Sequence, residues 1–195
     1  MGVRSMRADP SKFYPINVTD TCSVWNVLSS NTLYAAARGA GCSFCITSFV
    51  QYELLYKPRK RQHNADQELK KRLKQEQAAD RFKAHQSTID DLLAIGVLEQ
   101  RKRLGKGELS SIAFAVKINQ GFLSDDKNAF SLAKERGVVS TQTVPHLLSW
   151  LMFTGVLSDA DARNVIDEHK ALNRSLEMQL HEAREETLRC LQNTP

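Results

Sequence analysis

Apolar positions along the chain form short runs, and between these runs they recur at the spacing of a helix. Four runs are rich in β-branched or aromatic residues and each predicts a strand: residues 15–19, 42–47, 122–124 and 138–140. The segments between them place apolar residues three and four positions apart, which predicts helices. Short apolar strands that alternate with helices are typical of a parallel sheet covered on both faces. We therefore predict an α/β fold, a three-layer α/β/α sandwich with a central, mainly parallel sheet.

The helix boundaries are predicted from capping residues and from breaks in the apolar pattern. The predicted helices cover residues 21–38 with a break at 29–31, 48–55 with Ser48 as cap, 64–84, 89–95, 105–118, 128–136, 143–155 and 158–192. The segment 64–84 has few apolar residues, so we expect it to project from the body or to pack through a narrow stripe. Ser87 or Thr88 can cap the helix that follows, and Gly96 is expected to end it.

Positive charge is concentrated in the middle of the chain. The 195 residues carry 27 Lys and Arg against 22 Asp and Glu, a net charge of +5. Residues 57–106 hold 14 of the basic and 7 of the acidic residues, whereas residues 157–195 hold 5 basic and 8 acidic ones. The basic segment is either a set of solvated helix faces or a surface that binds phosphate groups.

Composition excludes several classes of protein. No run reaches the roughly 18–20 apolar residues that cross a bilayer, which excludes an integral membrane protein. The first residues, MGVRSMRADPSKFYP, lack the apolar core of a secretory signal. The cysteines are Cys22, Cys42, Cys45 and Cys190, and without a leader they do not imply a disulfide framework. We expect a reducing, cytoplasmic setting.

Acidic residues follow the predicted strands or lie on the helices beside them: Asp20, Glu53, Glu108, Asp125 and Asp126. Open α/β sheets bind ligands at the carboxyl ends of their strands, so these side chains are expected to gather there. Their mutual repulsion would be offset by Mg²⁺ or Mn²⁺, which prefer oxygen ligands. With a basic flank, this chemistry suits phosphodiester hydrolysis. Taken singly, each carboxylate is more often a helix cap, a first-turn residue or part of a turn, and only their joint arrangement favours a metal site.

Four segments resemble, in order, the acidic motifs of the PIN domain, the metal-dependent ribonuclease fold of many bacterial toxin–antitoxin toxins. They are VTDTCSVWNVL, ITSFVQYELL, GKGELSSIAFAVKINQG and FLSDDKNAFSLAKERGV, and STQTVPHLLSWLMFTGVLS resembles the closing segment of the family. The resemblance covers residues 15–160. It implies a metal-dependent endoribonuclease, possible pairing with a small antitoxin protein, and a catalytic site that holds Mg²⁺ or Mn²⁺.

The resemblance also assigns individual residues. It implies that Asp20, Glu53, Glu108 and one of Asp125 or Asp126 bind the metal ion. Asp126 is preferred as the fourth catalytic residue, because its spacing from Ser124 matches the commoner form of the motif. The resemblance further implies that Thr21 or Ser124 helps to position water.

The chain departs from the family in length. Around the PIN-like region 15–160 lie an N-terminal tail (1–14) and a C-terminal helical extension (161–195), and a basic helical insertion (about 57–106) interrupts it. These additions could serve RNA binding, homodimerisation or partner docking. The expected contacts to the RNA backbone come from Lys57, Arg59, Lys60, Arg61 and Lys106.

Two other interpretations stay open at this point. The chain could be a PIN-like protein that binds RNA or protein without turnover. It could also be an unrelated α/β interaction module whose carboxylates are helix caps.

Overall fold

The computed structural model describes residues 9–58, 63–99 and 104–193, which form five strands and ten helices. The strands are β1 (Ile16–Thr19), β2 (Ser43–Thr47), β3 (Ala84–His85), β4 (Gly121–Leu123) and β5 (Thr141–Gln142). The helices are α1 (Thr21–Leu28), α2 (Asn31–Gly39), α3 (Ser48–Leu55), α4 (Asn64–Ala78), α5 (Ile89–Glu99), α6 (Lys106–Ile118), α7 (Lys127–Glu135), α8 (Val144–Phe153), α9 (Asp159–Ala171) and α10 (Glu177–Gln192). All strand pairs are parallel, in the order β3-β2-β1-β4-β5. The predicted α/β fold with a central parallel sheet is confirmed.

Strand β1 lies at the centre of the sheet, and its register sets the position of the acidic residues. Val18 pairs with Cys45 of β2 on one side and with Phe122 of β4 on the other. Because the strands are parallel, β1, β2 and β4 end at the same edge of the sheet. Asp20 and Ser124 follow β1 and β4 directly at that edge.

Two apolar cores cover the two faces of the sheet. The larger core contains Trp25 of α1, Leu33 of α2 and Leu148 of α8, all buried. The smaller core contains Ile112 of α6 and Leu132 of α7, which are fully buried. Burial of apolar side chains on both faces gives the three-layer α/β/α arrangement that the sequence predicts.

The basic insertion contributes an edge strand that the sequence analysis did not predict. The predicted helix over 64–84 is wrong beyond Ala78, where α4 ends. Asp80 and Phe82 then adopt positive φ angles of 62° and 47°, and the chain enters β3, which pairs with β2. A strand of two residues has no periodicity to read in the sequence. Helix α4 does pack through a narrow stripe, formed by the buried Leu69 and Leu73.

Three smaller boundaries also differ from the prediction. The last strand lies at residues 141–142 and not at 138–140, because Ser124 N–H bonds to the carbonyl of Gln142. Gly96 lies inside α5, which continues to Glu99. Thr47 caps α3 in place of Ser48, with its hydroxyl accepting the N–H of Val50 at 3.3 Å.

The C-terminal helices pack into the body. Val165 and Ile166 of α9 are buried within the larger core. The Glu168 carboxylate accepts hydrogen bonds from the Ser30 hydroxyl and, at 3.2 Å, from the backbone N–H of Thr32, and so binds the N-terminus of α2. Residues 161–193 therefore complete the core that begins with α1 and α2.

None of the helices formed by residues 9–58, 63–99 and 104–193 combines the length and the apolar composition needed to cross a bilayer. This agrees with the sequence, which contains no long apolar run.

Candidate functional site

Asp20 lies at the carboxyl end of the central strand and is only 1% exposed. It is the N-cap of α1, where its Oδ1 accepts the backbone N–H of Ser23 at 2.8 Å. Its Oδ2 accepts a short hydrogen bond from the Ser124 hydroxyl. Helix capping accounts for the contact of Oδ1. The contact of Oδ2 comes instead from Ser124, which follows β4.

Burial of Asp20 changes its acidity. Removal from water raises the pKa of Asp20 to about 7, against the opposing hydrogen bonds from Ser124 and Ser23. The neighbouring Asp125 carboxylate raises this pKa further. Near neutral pH the Asp20 carboxyl is therefore divided between its protonated and ionised forms, and a nearby cation would favour the ionised one.

Asp125 is the second carboxylate of the site. Its Oδ2 accepts hydrogen bonds from Asn26 Nδ2 at 2.8 Å and from the Ser23 hydroxyl at 3.2 Å, and its Oδ1 accepts the N–H of Val144 at 2.9 Å. Burial raises the pKa of Asp125, while these hydrogen bonds lower it. Ser23 thus contacts both acids, Asp20 through its backbone N–H and Asp125 through its hydroxyl.

Asp126 is placed differently from its neighbour. It is exposed and caps α7, with Oδ1 accepting the N–H groups of Asn128 at 2.7 Å and Ala129 at 2.9 Å. A carboxylate is a favoured N-cap because it satisfies N–H groups that the helix leaves unpaired. The sequence-based preference for Asp126 therefore does not agree with the geometry, which places Asp125 beside Asp20.

Glu53 lies on α3, next to the start of α1. Its Oε2 accepts a hydrogen bond from the Thr21 hydroxyl at 2.6 Å, and its Oε1 lies 3.6 Å from Lys57 Nζ. The first turn of α6 adjoins this pair at Gly107. A Cβ atom on Gly107 would lie 2.6 Å from Glu53 Oε2 and 3.1 Å from Thr21 Oγ1. The glycine thus leaves the space that the Glu53 carboxylate occupies.

Glu108 lies in the first turn of α6, where a negative charge favours the helix dipole. Its side chain folds back over Gly105, where a Cβ atom would lie 2.6 Å from Glu108 Oε2. Burial raises the pKa of the Cys22 thiol to about 11, and so do the charges of Asp20, Glu108 and Asp125, whereas Arg174 lowers it. These three carboxylates therefore all act electrostatically on the Cys22 thiol near the start of α1.

The four acidic positions do not converge on one point. Among residues 9–58, 63–99 and 104–193, no three His, Cys, Asp or Glu side chains are arranged to hold a metal ion. Asp20 and Asp125 are brought together through Ser23, and Glu53 and Glu108 lie on the flanking helices. Thr21 is bound to Glu53, and Ser124 to Asp20.

A cavity of about 500 Å³ opens beside Glu53. It is lined by Ser48, Phe49, Tyr52, Glu53, Lys57, Gly105 and Lys106. Both lysines were predicted to contact RNA, and they come from different elements, one after α3 and one at the start of α6. The other predicted RNA contacts, Arg59, Lys60 and Arg61, lie outside the described residues.

Three residues of the site were not found from the sequence: Ser23, Asn26 and Arg174. Arg174, between α9 and α10, donates from Nε to Asn26 Oδ1 at 3.0 Å, and Asn26 in turn donates to Asp125. Asp20, Ser23 and Asn26 are spaced three residues apart and share one helix face, a signal that the sequence does contain. Arg174 has no such signal, since 148 residues separate it from Asn26.

Comparisons of the chain with models of protein families, with curated proteins and with solved structures find no match. The PIN-like assignment therefore stays a prediction from sequence motifs. What the chain does is inferred below from the contacts of the site itself.

Proposed function

We propose that this protein is a divalent-metal-dependent nuclease of PIN type that hydrolyses phosphodiester bonds in RNA. One observation carries the proposal: Asp20 and Asp125, from the ends of adjacent strands, lie on the two sides of Ser23 with their carboxylates largely removed from water. The hydrogen bonds to Asp20 come from the neutral donors Ser23 and Ser124. Two ionised acids held in this way repel each other. The charge of Arg174 favours the ionised form of Asp125, and a bound cation would favour ionisation of both acids.

The chemistry of the two carboxylates fits Mg²⁺ or Mn²⁺. Mg²⁺ needs only one or two carboxylates from a protein and keeps several water ligands, so a third protein ligand is not required. Asp20 and Asp125 would hold the ion. When bound, such an ion neutralises charge on a phosphate and lowers the pKa of water.

The other residues of the site hold the acids and the substrate. Ser124 fixes one oxygen of Asp20, and Asn26 fixes Asp125, which limits the movement of both carboxylates. Glu53, which is bound to Thr21, and Glu108, in the first turn of α6, would orient water or accept a proton. Lys57 and Lys106 line the adjoining cavity and would bind phosphate groups, so RNA binding is expected to weaken as salt increases.

Metal dependence is the first test of this proposal. The protein is incubated with a labelled, structured RNA in Mg²⁺, in Mn²⁺ and in EDTA, beside the Asp20→Asn variant. We expect cleavage with either ion, none in EDTA, and a loss of at least about 100-fold in the variant. Cleavage that survives both EDTA and the substitution would contradict the proposal. Folded protein that binds RNA without cleaving it would indicate the binding module instead.

The adjacent acids Asp125 and Asp126 give a matched pair of variants. Asp125→Asn is expected to lower the cleavage rate by about 100-fold, because it removes a charge beside Asp20. Asp126→Asn is expected to leave the rate nearly unchanged, because asparagine is an equally good N-cap for α7. Initial cleavage rates of the two variants in Mn²⁺ test this assignment. A larger loss in Asp126→Asn than in Asp125→Asn would show that Asp126 is the acid needed for cleavage.

A further inference from the structure

We propose that helix α3 presents a base-stacking surface for single-stranded RNA next to the acidic site. This inference rests on the proposed nuclease function and names the form of its substrate. Phe49 and Tyr52 of α3 and Tyr56, its C-cap residue, are spaced by three and four residues and so follow one side of the helix. Phe49 is half-buried against the smaller core. The acidic and basic residues Glu53 and Lys57 lie directly beside this aromatic face.

The two tyrosines are exposed to an unusual degree. Tyr52 is 52% exposed and Tyr56 is 65% exposed, and they are the large aromatic residues that stand out from the surface formed by residues 9–58, 63–99 and 104–193. By contrast, Tyr34 is buried against Phe44 and Phe82. Neither exposed ring is needed to fill a core. Exposed aromatic rings on successive turns are suited to stacking against the faces of nucleobases.

The cavity beside Glu53 joins this aromatic face to groups that bind phosphate. Phe49 and Tyr52 form part of its wall, together with the ammonium groups of Lys57 and Lys106. A nucleic-acid strand presents the complementary groups in alternation, a flat base and then an anionic phosphate. A base stacked on Tyr52 would bring its adjoining phosphate to the cavity that Lys57 and Lys106 also line.

The surface favours a single strand over a duplex. Bases within an RNA duplex are stacked on one another and cannot lie against a protein ring, whereas unpaired bases can. Stacking also discriminates little between bases, because each base has a similar face. We therefore infer a preference for unpaired RNA with weak dependence on its sequence.

Binding without cleavage isolates this inference from the nuclease proposal. A short labelled single-stranded RNA, and the same strand annealed to its complement, are titrated in EDTA and followed by fluorescence anisotropy. Tyr52→Ala is expected to weaken single-strand binding about ten-fold. Tyr52→Phe keeps the ring and is expected to bind the single strand like the unchanged protein. Binding of the duplex is expected to be weaker and equal in the unchanged protein and the two variants.

Two results would overturn the stacking surface: single-strand binding by Tyr52→Ala within about two-fold of the unchanged protein, or equal binding of strand and duplex. Circular dichroism melting confirms that the exposed substitution leaves the fold intact. Tyrosine-dependent binding by a protein that never cleaves RNA would support the surface and reject the nuclease proposal.

Discussion

Replacing Asp20 by Asn is expected to abolish RNA cleavage and, at the same time, to raise the free energy of unfolding at and above neutral pH. The substitution removes a carboxylate proposed to bind the metal ion. It also removes a buried negative charge, while asparagine still caps α1 by accepting the N–H of Ser23. Loss of activity together with a gain in stability is typical of a charge that is kept for function.

The stability change depends on pH with a defined sign. The pKa of Asp20 is about 7 in the folded protein, against 3.8 for an aspartate in water. Between these values the folded state binds more protons than the unfolded state, so the stability of the unchanged protein falls as pH rises through this window. The asparagine side chain of the variant does not ionise, so it adds no such pH dependence. At about pH 8 it is therefore expected to be more stable than the unchanged protein, by an amount on the order of 4 kcal/mol.

Urea unfolding at about pH 4 and about pH 8 measures this difference. The two proteins should have similar stability at the lower pH and separate at the higher one. Asp126→Asn, at the exposed cap of α7, is the control and should not show the separation. Mg²⁺ in excess is expected to stabilise the unchanged protein at the higher pH and to have little effect on Asp20→Asn. A variant less stable than its parent at about pH 8 would contradict the expected release of an unfavourable buried charge.

Gly107→Ala is expected to leave the fold intact and to impair catalysis by about 10–100-fold. Alanine is favoured over glycine in a helix by about 1 kcal/mol. The added Cβ, however, would lie 2.6 Å from Glu53 Oε2, the flexible end of a side chain that can move aside. The Glu53 carboxylate would then leave its hydrogen bond with Thr21 while the backbone stays in place.

The matched control is Gly96→Ala on α5, where a Cβ meets no atom within 4 Å. This variant gains the same helix propensity without contact with Glu53. Melting temperatures and initial cleavage rates of the two variants are compared. A Gly107→Ala protein with full activity would show that the position of Glu53 does not matter to the reaction.

The sheet could be predicted where the strands have a pattern of their own. Strands β1, β2 and β4 are largely buried and rich in β-branched or aromatic residues, and the sequence predicts each of them within one or two residues. Strands β3 and β5 have two residues each and exist because a longer neighbour offers hydrogen-bonding groups, such as the Ile46 N–H that bonds to the Lys83 carbonyl. Such strands are determined by tertiary contacts, which local sequence does not report.

The site could be predicted only in part for a similar reason. Asp20 could be singled out because an acid directly after a buried strand is a recognisable pattern, and the structure places it buried at the end of β1. Whether Asp125 or Asp126 lies beside Asp20 depends on which of the two caps α7. The sequence cannot assign these roles, because the two residues are adjacent and chemically identical. Gly107 was visible in the GKGE segment, but its contact with Glu53 depends on the packing of α3 against α6.

The hydrogen bond from Arg174 to Asn26 has a consequence for the order in which the protein is synthesised. Asn26 supports Asp125, and 148 residues separate it from Arg174. During synthesis, the chain therefore contains the carboxylates of Asp20 and Asp125 well before it contains Arg174. The guanidinium group of Arg174 completes the hydrogen bonds that hold Asp125 through Asn26. If the protein cleaves RNA as proposed, the messenger RNA being translated meets an incomplete site until the segment after α9 has left the ribosome.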